Sequence, residues 1–429
     1  MPDGSATAHL YRPKLVTILR QGYSLGNFRK DALAGLTVAI VALPLSMAIA
    51  VASGVSPERG LYTAIAGGAV VSALGGSRFQ IGGPAGAFIV LVAATIAKFG
   101  IEGLLVTVLL SGAMLTLVGL LRLGSLIRHI PHAVMIGFTC GIAVTILASQ
   151  LKDLAGLRLS VAEPGPLPAK LGVLSQALPT VNPAALAIGC GVAALIFLLR
   201  TKRPAWPGML IAVVLASLLC TVLELPVETI ASRFGELPRS LPLPHWPAMP
   251  LALVWQVLPV ALSFTLLGAV ESLLSARVAD GMTGRKHRSN MELVAQGVAN
   301  IASATFGGIS VTGTIARTAA NVRAGAYSPV SGLLHAVFLL VFLMIAAPLA
   351  GFIPLSALAG VLVVVCWYMA EKREFLHLLR HWHGALVLLS TFILTLVEDL
   401  TVGILAGCAV AALLAAGRRW TRKTSCGDA

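Results

Sequence analysis

The chain has 429 residues, of which 57% are hydrophobic and only 11% charged, and its formal net charge is +14. Soluble domains carry about 25% charged residues, and a membrane barrel alternates apolar and polar residues over about ten positions; neither pattern is present. Apolar runs of about 20 residues recur along the whole length, each enough to cross roughly 30 Å of hydrocarbon, so the sequence reads as an all-α polytopic membrane protein.

Residues 1–30 are polar and basic, without the short apolar core of a cleavable signal peptide. Spans are predicted at 32–53, 60–74, 84–99, 102–121 and 131–150. After a Pro-rich loop at 153–181 come spans at 183–199 and 207–223, then a second Pro-rich linker at 224–250. Seven more follow at 254–278, 291–305, 312–322, 328–350, 355–369, 382–397 and 401–416, ahead of a basic tail at 418–429. The fourteen segments divide into seven within 31–223 and seven within 251–417. An odd number per half turns the second half over relative to the first, which is an inverted repeat.

The positive charge is not a nucleic-acid footprint, because it does not form one continuous face. Of the cations, 21 fall in one set of alternate loops, among them Arg12, Lys14, Arg128, Arg285, Arg288, Arg418, Arg419, Arg422 and Lys423, and 7 in the other set. This asymmetry places both termini in the cytoplasm of a plasma-membrane protein. Arg78, Arg317 and Arg323 are left over, close to two interruptions of the apolar pattern.

Those interruptions are GGPAGAF at 82–88 and GGISVTGTIART at 307–318, the third segment of each half. Each places Gly, Pro or small hydroxyl residues where a span ought to run unbroken, ahead of a helical stretch about half a span long. Paired interruptions of this kind point to a transporter's midplane site, and first-turn amides facing one another favour an anion. The lining is assigned to Pro84, Ala85, Gly86, Ala87 and Phe88 on one side. On the other it falls to Thr312, Gly313, Thr314, Ile315, Ala316 and Arg317. Pro84 suits a first helical turn, and Thr312 or Thr314 suits a hydroxyl cap. The bland alternative is a pair of packing kinks.

Arg317 stands in an apolar stretch, where a cation costs roughly 3 kcal/mol and faces a cavity or a partner. Glu271, in the eighth span, is a carboxylate that hydrocarbon favours in its protonated form; it suits proton coupling, with a salt bridge to Arg317 as the structural alternative. Ser275 lies one turn on. Pro44 breaks the first span, the counterpart of the eighth by the repeat, so Leu45, Ser46, Met47, Ala48 and Ile49 are expected to face the site. Asp280 and Glu292 are assigned to tying down a basic loop, and Glu398 and Asp399 to a turn. His129, His132, His335, His377, His381 and His383 read as loop or interface residues. The six cysteines, Cys426 outside the spans, show no metal-like spacing. No cofactor or metal is expected.

The runs DALAGLTVAIVALPLSMA, GLYTAI, GGSRFQIGGPAGAF, ESLLSARVADG, ELVAQGVANIASATFGG, TGTIARTAANVRAGAYSP and TFILTLVEDLTVGILAG, within 31–407, resemble the sulfate permease family of anion transporters in content and order. The resemblance implies a seven-plus-seven inverted repeat like that of uracil permeases, with core and gate domains and often a homodimer. It also implies an anion site between the third and tenth helix starts, lined by the first and eighth helices. Leu45 replaces a Gln common in the family. Glu271, Ser275 and Ile315 stand where sodium-coupled members carry Asp and Thr, which favours protons. The sequence does not include the cytoplasmic STAS domain of most members. The expected function is secondary transport of a small anion: a sulfate-like oxyanion, bicarbonate or a dicarboxylate. A nucleobase symporter on the same fold and a passive anion channel are the rivals. An enzyme is excluded for want of paired acids, HExxH or a Ser/His arrangement in the spans.

Overall fold

The computed structural model describes residues 11–124, 131–161, 163–164, 166–204, 206–398 and 400–425. Residues 1–10, Arg128, His129, Asp399 and Cys426 fall outside the described residues, as do the side chains of Arg418, Arg419, Arg422 and Lys423.

A short helix α1 (Lys14–Arg20) leads into α2 (Leu25–Ala52). The start of α2 is fixed by Ser24, whose hydroxyl accepts the Asn27 amide at 3.2 Å, one of the donors that a first turn leaves without a helical partner. Pro57 opens α3 (Pro57–Tyr62), which continues through a π turn (Thr63–Gly67) into α4 (Gly68–Leu74). Thr63 Oγ1 donates to the Arg59 carbonyl and accepts the Ile309 amide, both at 2.7 Å, so the widened turn stands where a side chain caps a carbonyl of the helix and holds a distant segment.

Strand β1 (Gly82–Gly83) and a 3₁₀ turn (Gly86–Phe88) precede α5 (Ile89–Leu120). Inside α5, Gly100 adopts φ +69° and ψ −172°, a conformation open to glycine and strained for a side chain. That one residue separates the stretches read as the third and fourth spans. Then follow α6 (His132–Ala155), α7 (Leu167–Ala177), α8 (Pro183–Lys202), α9 (Gly208–Val222) and α10 (Ile230–Phe234). The second half comprises α11 (Leu251–Thr283), α12 (Ser289–Thr305), β2 (Thr312–Gly313), α13 (Ile315–Arg323), α14 (Val330–Ala350), α15 (Leu355–Met369), α16 (Lys372–Leu379), α17 (Trp382–Val397) and α18 (Leu400–Ser425).

Among the described residues, seven helices are long and apolar enough to cross a membrane by length and composition, and three shorter apolar helices accompany them. Two elements depart from expectation. The stretch read as a Pro-rich loop at 153–181 contains α7, and the connection after α15 contains α16, whose residues are all at least partly exposed. Both are too short to register as an apolar run. Of the cysteines placed in spans, Cys140, Cys220 and Cys366 are buried, but Cys190 on α8 points outward.

Helices α5, α11 and α12 pack together, as do α2 and α14, and these enclose α4, α13 and both strands. Helices α6, α8, α15, α17 and α18 pack mainly on one another and meet the first group through α2. Where the first group converges, β1 and β2 pair antiparallel, Gly82 opposite Gly313 and Gly83 opposite Thr312. Extended backbone at such depth survives only if its polar groups find partners. Asn300 supplies two of them: its Oδ1 accepts the Val311 amide at 3.1 Å and its Nδ2 donates to the Val311 carbonyl at 2.8 Å. Thr318 Oγ1 accepts the Ile81 amide at 3.2 Å, Ile81 O accepts the Thr314 amide at 3.1 Å, and Asn321 Nδ2 donates to Phe79 O at 2.9 Å.

Glu292 corrects an expectation. It does not pair with the basic loop beside it but is fully buried, accepting the Ser77 amide through Oε2 at 2.9 Å and Gln296 Nε2 through Oε1 at 3.1 Å. Asp280 matches its reading, bonding the His287 ring and amide at 2.6 and 3.1 Å.

Asp31, at the start of α2, is a further anchor. Fully buried, it accepts Tyr23 OH at 2.7 Å, the Tyr327 and Ser328 amides at 2.6 and 2.9 Å, and Ser328 Oγ at 2.5 Å. Replacing it with alanine strands two amides and two hydroxyls. Hydrogen bonds to a charged group contribute about 1.5–3 kcal/mol each, so Asp31→Ala is expected to destabilise the protein by at least about 2 kcal/mol. A melting temperature in detergent equal to wild type would contradict this account.

Candidate functional site

Thr314 is the residue ahead of α13 and has extended backbone, φ −92° and ψ 128°, but its hydroxyl caps nothing. It donates instead to the Ile81 carbonyl at 3.4 Å. Thr312 does not cap either: it is fully buried and shares a 2.8 Å hydrogen bond with Ser272 on α11. The hydroxyl-cap expectation therefore fails, because both groups are recruited to hold the strand crossing. Pro84 is likewise not the first residue of a helix. The 3₁₀ turn begins two residues later with Ala85 as its cap, and the Pro84 carbonyl is used as an acceptor.

The residue that draws these pieces together is Arg317. It is 2% exposed, and its Nη2 donates to Ser46 Oγ on α2 at 3.0 Å and to Pro84 O at 3.4 Å. One guanidinium thus touches the first span and the segment after β1, while standing on the helix after β2. Its Nε and Nη1 are buried and have no hydrogen-bond partner among the described residues. The guanidinium lies so close over Gly83 that a methyl group there would collide with Nη1, which is why this position is bare.

The other residues assigned to the lining are mostly buried. Pro44, Leu45, Met47, Ala48 and Ile49 are buried on α2, with Ser46 Oγ donating to Ala42 O at 2.7 Å. Ala85 and Ala87 are buried, and Phe88 meets Phe264 of α11 with ring centroids 5.4 Å apart. Gly86 and Ile315 are partly exposed and Ala316 is exposed. The first turns at Gly86 and Ile315 therefore reach accessible space, and their leading amides have no carbonyl one turn back within the helix.

Glu271 lies one residue from Ser272, which bonds Thr312. The residue as a whole is partly exposed, yet its Oε2 is shut from solvent and has no hydrogen-bond partner. The ion pairs among the described residues are Lys170–Glu163, Arg233–Asp153, Arg233–Glu228 and His287–Asp280, so the structural alternative of a Glu271–Arg317 bridge is not formed. Ser275 is not turned to Glu271; it donates to Thr318 Oγ1 at 3.1 Å.

Two residues of this constellation, Ser272 and Gln80, were given no role in the sequence reading. Ser272 bonds Thr312 and accepts the Gly313 amide at 3.4 Å, and Gln80 Nε2 donates to Ser272 O at 3.1 Å. Their signal, polar residues inside apolar stretches beside a break, is in the sequence but has no characteristic spacing. His335 on α14 is an interface residue, fully buried, with neither ring nitrogen partnered and within electrostatic range of Arg317.

A family model, the sulfate permease family, matches residues 28–393. The chain belongs to the sulfate permease family. It is 43% identical over 395 residues to the putative sulfate transporter YvdB of Bacillus subtilis, covering 91% of this chain and 74% of that one. It is 32% identical over 408 residues to the bicarbonate transporter BicA of Picosynechococcus, covering 90% and 70%. Among solved structures, the transmembrane domain of a cyanobacterial BicA superposes with a TM-score of 0.78 at 29% identity, covering 91% of this chain and 98% of that one. Murine Solute Carrier 26 family member A9, an anion transporter in the inward-facing state, shares the fold with a TM-score of 0.86 at 18% identity, over 97% and 73%. This sulfate permease family member is therefore an all-helical, multi-pass membrane transporter of an anion-transporting family, not an enzyme.

Two variants test the geometry. Arg317→Leu removes a buried, half-satisfied charge, and apolar replacement of such groups is often neutral or stabilising. The variant is expected to melt at or above the wild-type temperature while transport falls at least about tenfold, the loss of one charge-assisted contact. A structural arginine would give the reverse. Gly83→Ala should displace the guanidinium and lower transport with Arg317 still present; uptake at the wild-type rate would show that the close approach is immaterial.

Proposed function

We propose that this chain is a secondary active transporter of small anions, taking a sulfate-like oxyanion, bicarbonate or a dicarboxylate. The observation that carries the reading is Arg317: a buried cation, without an ion pair among the described residues, with two of its three nitrogens unused, at the point where both interrupted segments meet. An anion placed there would meet the guanidinium and the first-turn amides of two short helical stretches. Pro84 to Phe88, Thr312 to Arg317, and Pro44, Leu45, Met47 and Ala48 would line it. The names of the relatives, sulfate and bicarbonate transporters, support the substrate class.

The architecture that fits is fourteen segments in two inverted sets of seven, within 31–223 and 251–417, joined by 224–250. The segments around Arg317 would form a core domain, and α6, α8, α15, α17 and α18 a gate. Rocking of core against gate would expose the site alternately to each side, in a homodimer of the plasma membrane with both termini cytoplasmic. Glu271 is proposed as the proton-coupling group, with Ser275 supporting its helix against α13. A carboxyl oxygen buried without a donor is held most cheaply when protonated, and an anion arriving beside it adds to that preference.

Uptake into liposomes of sulfate, bicarbonate, fumarate and uracil, with and without an inward proton gradient, tests the reading. Accumulation of one of the anions against its gradient is expected, and purely downhill flux would indicate a channel. Glu271→Gln is expected to retain anion exchange while losing the response to the proton gradient. Undiminished coupling in that variant would remove Glu271 from the mechanism.

A further inference from the structure

At the α1 end of the bundle, three segments distant in sequence are stitched together by main-chain bonds. The Lys14 amide donates to Gly75 O and the Arg288 amide to Gly76 O, each at 3.0 Å. The Arg288 side chain, nine-tenths buried, reaches α1 as well, donating to the Arg12 carbonyl and, at 3.1 Å, to Thr17 Oγ1. The stitching gathers Arg12, Lys14, Arg78, Arg285 and Arg288 in one place.

These cations act on one another. Burial first, then Arg288, Arg78 and Arg285, hold the Lys14 ammonium below its ordinary value, against an opposing pull from Asp280. Burial and then Arg285 lower Arg78; burial and then Arg12 and Arg78 lower Arg288. The acids within reach are already engaged. Asp280 is taken by His287 at 2.6 Å, and both oxygens of Glu292 are used by Ser77 and Gln296. Cations that only set membrane orientation sit on solvated loops and spread apart. Here the backbone fixes them together, so the repulsion is built into the fold.

Beside the cluster lies an outward apolar edge: Val16 and Leu19 of α1 and Leu25, Phe28 and Leu33 of α2 are 36–68% exposed. Ile18, on the other side of α1, is 1% exposed and anchors the helix to the bundle. Concentrated positive charge next to an exposed apolar edge is the pattern of an element lying in the membrane interface. We propose that Arg12, Lys14, Arg78 and Arg285, with the Arg288 charge behind them, bind the headgroup of an anionic phospholipid, whose acyl chains run along Val16, Leu19 and Phe28. The bound phosphate clamps α1 to the connection ahead of β1 and to the start of α12, both of which hold the strand crossing.

The test uses the full chain purified in non-ionic detergent, titrated with short-chain phosphatidylglycerol, short-chain phosphatidylcholine or inorganic phosphate. Melting temperature and retained lipid by native mass spectrometry are the readouts. Phosphatidylglycerol is expected to raise the melting temperature and to remain bound, while phosphatidylcholine does neither. Arg78→Gln with Arg285→Gln should weaken the lipid roughly 30-fold, a factor of about five for each charge at an anionic surface. Arg285→Gln alone, at an exposed site, should give about fivefold and keeps the test readable should the double variant not fold. Lys202→Gln with Arg203→Gln, at the exposed end of α8, should change nothing. Three results would overturn the proposal: an equal loss in that control pair, which means diffuse attraction; full stabilisation by inorganic phosphate, which means a soluble-anion site; or equal stabilisation by phosphatidylcholine.

Discussion

Backbone that leaves the helix inside an apolar bundle must have its amides and carbonyls satisfied by something else, and in this protein a set of buried polar side chains is assigned to that task. Asn300, Ser303, Thr318, Asn321 and Glu292 each bond the backbone of one of the two stretches around β1 and β2. An unsatisfied buried peptide group costs about 1–3 kcal/mol, so several left open together would exceed a protein's usual margin of stability. The crossing can exist only because α11, α12 and α13 bring their polar faces to it.

This explains why so little is left over for the cation. Once Ser272, Thr312, Thr314 and Thr318 are engaged with backbone or with one another, Arg317 has only Ser46 Oγ and the Pro84 carbonyl. A guanidinium has five donors in a fixed fork, and this one is incompletely used. The arrangement is costly as a structural element, because buried donors are left without acceptors. Glu271 likewise has no hydrogen-bond partner at Oε2 among the described residues.

Much of this was legible in the sequence, and the parts that were not share a cause. The breaks at 82–88 and 307–318 stand out because Gly and Pro interrupt an apolar run, and pairing of Gly82 with Gly313 joins them as expected. Arg317, Glu271 and Pro44 were visible for the same reason: each is foreign to its surroundings. The direction of a hydroxyl was not visible. Thr314 reads as a cap by position, yet it serves Ile81 because that carbonyl, 233 residues away, is closer to hand. Glu292 reads as a loop anchor because its sequence neighbours are basic, whereas its bonds run to Ser77, 215 residues away. Local propensity is blind to such partners. The helices α7 and α16 were missed differently, being too short for a hydropathy run.

The stitching between halves also fixes the order of assembly. The Ile81 amide waits for Thr318, 237 residues later, and the Gly307 carbonyl answers to Arg59, 248 residues earlier. A ribosome releasing the chain N-terminus first therefore inserts the first interruption long before its partners exist. That stretch must be sheltered by water or by the insertion machinery until α13 is made, and closing so large a loop is slow. A chain released before residue 318 would have its early spans but not the Thr318 hydroxyl that the Ile81 amide bonds.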